Sequence, residues 1–130
     1  MHCLGRVFAS IVLATLLTTC GRPAEQRARV YFGMPASARV DATTLRNAIL
    51  EVVPLGTSER EVARRLAKRG IGQDSLSQYF PPDSMGKAIV RIERDTRAPN
   101  IVQRSFGVVL RFDSARTVRD IQVHEWLTGP

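Results

Sequence analysis

Cysteine is scarce in this sequence and badly placed for a disulfide. Cys3 and Cys20 are the only two in 130 residues, and both lie near the amino terminus. The residues after them can form no internal disulfide, so their fold must rest on packing. Histidine is equally rare: beyond His2 there is only His124. A zinc site needs several His, Cys or carboxylate ligands converging, and no such spacing is present. There is no glycine-rich phosphate loop, no nucleophile elbow and no internal repeat. Ser105, Ser114 and Asp113 could be set beside His124 on paper, but no oxyanion signature accompanies them. His124, with Glu125 beside it, reads as a residue on the polar side of a strand. No catalytic residue, metal or cofactor is expected.

A long apolar run is also missing. Residues 7–17 read Val-Phe-Ala-Ser-Ile-Val-Leu-Ala-Thr-Leu-Leu, preceded by Arg6. Eleven residues fall well short of the about twenty that a membrane-spanning helix needs. They have the length of the apolar segment of a secretory signal, behind a small positive n-region. Residues 1–19 are therefore expected to be a signal peptide. Leu17-Thr18-Thr19-Cys20 resembles a bacterial lipobox, an aliphatic residue and two small ones before cysteine. Leu17, Thr18 and Cys20 match it, and Thr19 stands where Gly, Ala or Ser is usual. The resemblance implies that Cys20 is lipidated and becomes the first residue of the mature chain. Two or more acyl chains hold a protein on a membrane stably. Gly21 follows Cys20, in place of the Asp that often marks inner-membrane retention, so the outer membrane facing the periplasm is expected.

Lysine is nearly absent from a basic chain. Lys68 and Lys87 stand beside seventeen arginines, with a formal net charge of +7. The guanidinium fork suits carboxylate and phosphate, although biased composition gives the same ratio. In an exported protein nucleic acid is not expected as a partner; anionic lipid headgroups or an acidic protein surface are.

Residues 20–40 show little periodicity and are expected to be a lipidated, flexible tether. The domain proper then covers 41–130. Leu45, Ala48, Ile49 and Val52 mark one face of a helix, with Asp41 as N-cap and Pro54 preventing continuation. Ser58 and Glu61 have the spacing of a capping box before Val62 and Leu66, and Gly70 follows the basic last turn. Residues 71–86 are turn-rich, with Tyr79 and Phe80 as a flap or an exposed anchor. Three alternating stretches follow: Lys87–Thr96, Ile101–Asp113 and Val118–Leu127. Val102, Phe106, Val108, Leu110 and Phe112 fall on one face of the second, against Gln103, Ser105 and Arg111. The expected fold is α+β, two short helices on a three-stranded antiparallel sheet in the order ααβββ.

Two motifs carry a family resemblance: Pro54-Leu55-Gly56-Thr57-Ser58-Glu59-Arg60-Glu61-Val62, and Val109-Leu110-Arg111-Phe112-Asp113 closing on Val118 and Ile121. On the same helix-helix-strand order, the chain resembles the small outer-membrane lipoproteins of the SmpA/OmlA (BamE-like) type, which share an architecture with the repeats of beta-lactamase inhibitor proteins. The resemblance implies binding rather than catalysis: a lipid-anchored interaction or assembly module of the cell envelope. A soluble periplasmic inhibitor or binding domain for one protein target is the alternative, and a small envelope enzyme a third. The candidate contact for an anionic partner is the cluster Arg60, Arg64, Arg65, Lys68 and Arg69. Its alternative is an ordinary solvated helix face with Glu61–Arg65 pairing.

Overall fold

The computed structural model describes residues 22–73, 76–94 and 102–129. The expected signal peptide, Cys20 and the expected turn at 97–100 lie outside the described residues. The elements are α1 (Ala24–Phe32), α2 (Ala42–Val52), α3 (Glu59–Lys68), β1 (Ser77–Phe80), β2 (Lys87–Ile92), β3 (Gln103–Phe112) and β4 (Val118–Thr128). The class is α+β, as the sequence suggests, with one helix and one strand more than ααβββ.

The extra helix lies where a flexible tether is expected. Ala24, Arg27, Ala28 and Phe32 fall at helical spacing and are all buried. Gly33 ends α1 in the left-handed region at φ 63°. Glycine bears that conformation without strain, and the Met34 N–H then returns to the Arg29 carbonyl at 2.9 Å. Arg27 hides the pattern from a hydrophobicity reading. Its guanidinium donates to the Glu93 carbonyl at 2.9 Å and to the Tyr31 hydroxyl at 2.7 Å, which pins α1 to the end of β2. A charge can be buried when such partners meet it.

The caps of α2 and α3 exchange roles relative to the sequence reading. Asp41 accepts from the Thr44 N–H, and Thr44 Oγ1 accepts from the Asp41 N–H, so the complete capping box is here. At α3 Ser58 Oγ accepts from the Glu61 N–H, but the Glu61 carboxylate turns to Arg64 and Arg65. A carboxylate with two guanidiniums in reach gains more from them than from one backbone N–H.

The sheet is antiparallel throughout, in the order β1-β2-β3-β4. β1 comes from the expected loop: Tyr79 pairs with Val90 and Phe80 with Ile89. Ala88, Val90 and Ile92 of β2, Phe106, Val108, Leu110 and Phe112 of β3, and Val118 and Ile121 of β4 are buried. They meet Leu45, Ile49, Val62, Leu66 and the buried side chains of α1 in one core. Burying each large aliphatic or aromatic side chain contributes roughly 1.5–3 kcal/mol. Val102 is expected on this inner face; it precedes β3 and is 60% exposed, outside the span in which pairing fixes the alternation. No helix among the described residues is long and apolar enough to cross a membrane.

Candidate functional site

All three helices contribute to the core on one side of the sheet, and among the described residues no element covers the other side. Strand alternation and the pairing register lay that outer face out in rows. Phe80, Ile89, Val109 and Gln122 form one row; Gln78, Arg91, Gly107 and His124 form the next; Lys87, Arg111 and Asp120 form a third. Phe80 is 42% exposed, and Arg91, Gln122 and His124 are exposed, while Ile89 and Trp126 are half-buried.

Trp126, the single tryptophan, lies over Gly107. A Cβ at Gly107 would stand 2.8 Å from the indole ring, so glycine is what lets the ring rest on the strand. Ser105, paired with Trp126 across the strands, is buried on this otherwise open side. The result is a flat apolar and aromatic band edged by basic side chains. Of these, Arg91 is engaged by Glu93. Such a composition, aromatic and arginine-rich, is characteristic of protein interfaces.

The basic cluster on α3 is less free than its spacing implies. Arg64 and Arg65 both hold Glu61, at 2.9 Å for each Nε contact. Together they draw the Glu61 carboxyl down to about 2, Arg64 contributing most. Arg65 also donates to the Val52 carbonyl, and Arg69 to the Tyr31 carbonyl, so these two tie α3 to α2 and α1. Arg60 and Lys68 are exposed and make no ion pair among the described residues. The outward charge of the cluster is therefore mainly Arg60 and Lys68, with the half-neutralised Arg64 between them. Reversing Arg65 would break structural contacts as well as charge, which makes it a poor probe of binding.

His124 lies opposite Gly107 on the outer face. Asp113 sits at the far end of β3, where its carboxylate accepts from the Thr117 N–H and hydroxyl. Those hydrogen bonds hold its pKa below the ordinary value and fix the β3–β4 turn. The structure thus separates the histidine from the aspartate that could be drawn beside it on paper. Among the described residues no group of three or more His, Cys, Asp or Glu side chains could hold a metal ion.

A shallow groove of about 370 Å³ lies between the start of α3 and β1, lined by Ser58, Glu59, Arg60, Tyr79 and Arg116 among others. The Arg116–Glu59 pair bridges it at 3.1 Å. The Tyr79 hydroxyl is buried with no hydrogen-bond partner. Burial, and then the Glu59 charge, push its pKa up to about 12. The folded state resists ionisation while the unfolded chain ionises near 10, so stability falls as the pH rises from about 10 toward 12. Tyr79→Phe is expected to remove part of this alkaline loss and leave the melting temperature at pH 7 unchanged or slightly higher. Melting curves from pH 7 to 12 check it; parallel alkaline losses in both proteins would contradict it.

The chain matches no protein-family model, no curated protein and no solved structure.

Proposed function

We propose that this protein is a lipid-anchored, non-catalytic interaction module of the cell envelope. In this reading Cys20 carries the lipid, the domain stands on the periplasmic face of the outer membrane, and the outer sheet face docks a protein partner. The observation that carries the proposal is that face: Phe80, Ile89 and Trp126 form an apolar band edged by Lys87, Arg91 and Arg111, with no helix over it among the described residues. An acidic partner surface with an apolar centre fits it. The family resemblance of the helix and strand motifs points to the same kind of module. Arg60 and Lys68 on α3 supply a second, purely electrostatic contact, either to anionic headgroups or to the same partner. Each basic residue near an anionic membrane adds about 1 kcal/mol of attraction.

Crosslinking pull-down from the native envelope tests the reading, with the parent chain beside a Phe80→Ser, Ile89→Ser, Trp126→Ser variant. The variant is expected to lose most of the captured partner while remaining folded, with a lower melting temperature because Ile89 and Trp126 are half-buried. Equal capture by a folded variant would remove the sheet face from the proposal. A Cys20→Ala chain that stays membrane-bound would remove the lipid anchor.

A further inference from the structure

The edge of the sheet at β4 is an eleven-residue strand, and the chain protects only its first half. Along a strand, the N–H and C=O of successive residues point to opposite neighbours. On the side away from β3, the Val118 N–H donates to the Thr57 carbonyl and the Val118 carbonyl accepts from Gly56. Three residues on, past the bulge that falls opposite Arg111 and Phe112, the Ile121 carbonyl accepts from Arg46 Nε at 2.8 Å. Arg46 reaches round the edge from α2 and stands 4.0 Å from Asp120.

From Ile121 onward the alternation directs the backbone groups of Val123, Glu125 and Leu127 to the same open side. Among the described residues no other segment or side chain bonds to them there. A long unpaired edge of this kind is a template for another strand.

The free groups are symmetric about Glu125, and so are the side chains. We propose that two copies of the chain pair antiparallel along this half of β4, with Glu125 of one copy opposite Glu125 of the other. Val123 then faces Leu127 of the second copy on the helix side, and His124 faces Trp126 on the outer side. Leu127, 65% exposed in the single chain, gains an apolar neighbour. The two facing carboxylates do not oppose the pairing, because each is already held by its own Arg104, at 2.8 Å from Nε.

Sliding the register by two residues would set Leu127 opposite Ile121, whose carbonyl Arg46 occupies. Arg46 thus opposes slippage in that direction. The product is an eight-stranded sheet with both helix layers on one side and the aromatic bands of both copies joined across the seam. This assembly does not depend on what the outer face binds.

Single-cysteine crosslinking of the full-length chain in its membrane tests the pairing. Directly opposite residues in a hydrogen-bonded antiparallel pair lie about 5.5 Å apart at Cα, within disulfide range. Mild oxidation of Glu125→Cys is therefore expected to give a disulfide dimer well above the background of the parent chain. Gln122→Cys, which has no counterpart opposite itself in this register, is expected to stay at background. In sedimentation equilibrium of the purified full-length protein, Leu127→Lys is expected to raise the dimer dissociation constant at least about tenfold by placing a charge against the apolar seam. Its melting temperature under monomeric conditions should not change, since the side chain is exposed. Background-level crosslinking of Glu125→Cys, strong crosslinking of Gln122→Cys, or a parent chain that sediments as a monomer at every concentration would overturn the proposal.

Discussion

Replacing Phe32 by alanine is expected to lower the melting temperature by roughly 12 °C or more. Phe32 is 5% exposed and belongs to the main core. Truncating a buried phenylalanine to alanine costs about 3–5 kcal/mol, from lost burial and the cavity left behind. In a domain of about a hundred residues each kcal/mol moves the melting temperature by about 4–8 °C. The control is two residues earlier on the same helix: Val30 is 61% exposed, so Val30→Ala should shift the transition by no more than a degree or two. Thermal denaturation followed by circular dichroism reads both. A flexible tether would tolerate either change. Equal, small shifts would mean that residues 24–32 are not part of the folded domain. The outcome also bears on anchorage, because a packed α1 leaves Cys20 only four residues from the folded body rather than at the end of a twenty-residue leash.

The same helix explains where sequence reading succeeded and where it stopped. The stretches at 42–52 and 59–68 announce themselves because their buried positions are hydrophobic and their starts carry Asp41 and Ser58. At α1 one of the buried positions is Arg27, so the i, i+3, i+4 pattern is broken by a charge whose partners, Glu93 and Tyr31, lie elsewhere in the sequence or one turn away. No local rule reveals that the Glu93 carbonyl will be waiting. β1 was hidden differently. Four residues followed by Pro81-Pro82 give too short a span for alternation to register, and its strand identity comes entirely from pairing with β2.

The outer face is half legible. Arg111 falls on the side of its strand away from the apolar residues, and His124 on the polar side of its own. What alternation could not show is that Gly107 would seat the indole, or that Phe80 would join the row through Ile89. Both depend on the register between strands, which is a tertiary fact. On α3 the spacing of the basic residues is plain in the sequence, yet the partners of Arg65 and Arg69 are carbonyls of other helices. That leaves Arg60 and Lys68 as the freer charges.

The second large effect is expected at Gly86. It precedes β2 at φ 73°, in the turn closed by Asp83, whose carboxylate accepts from the Met85 and Lys87 N–H groups. An alanine here meets two penalties. The left-handed conformation costs an L-residue about 1–2 kcal/mol. In addition its Cβ would lie 2.8 Å from the Phe112 carbonyl oxygen. That atom is backbone, in a strand held on both sides, and the Gly86 carbonyl itself accepts from the Phe112 N–H at 2.8 Å, so neither partner can withdraw without losing a ladder bond. Gly86→Ala is expected to cost roughly 3 kcal/mol, about 12 °C or more in melting temperature. Gly33→Ala isolates the conformational part: φ there is 63° with no atom within 4 Å of the added Cβ, so about 1–2 kcal/mol is expected. Equal losses at the two sites, measured by urea denaturation, would show that the close approach to β3 contributes nothing. The contact does not set the register by itself. The Gly86–Phe112 bond lies one step before Lys87 meets Arg111, and a slip of one residue would turn Ile89 inward and Val90 outward. A Gly86→Ala protein that still folds should therefore retain its outer face, because the core burial of Ala88, Val90 and Ile92 holds the register even when the turn is strained.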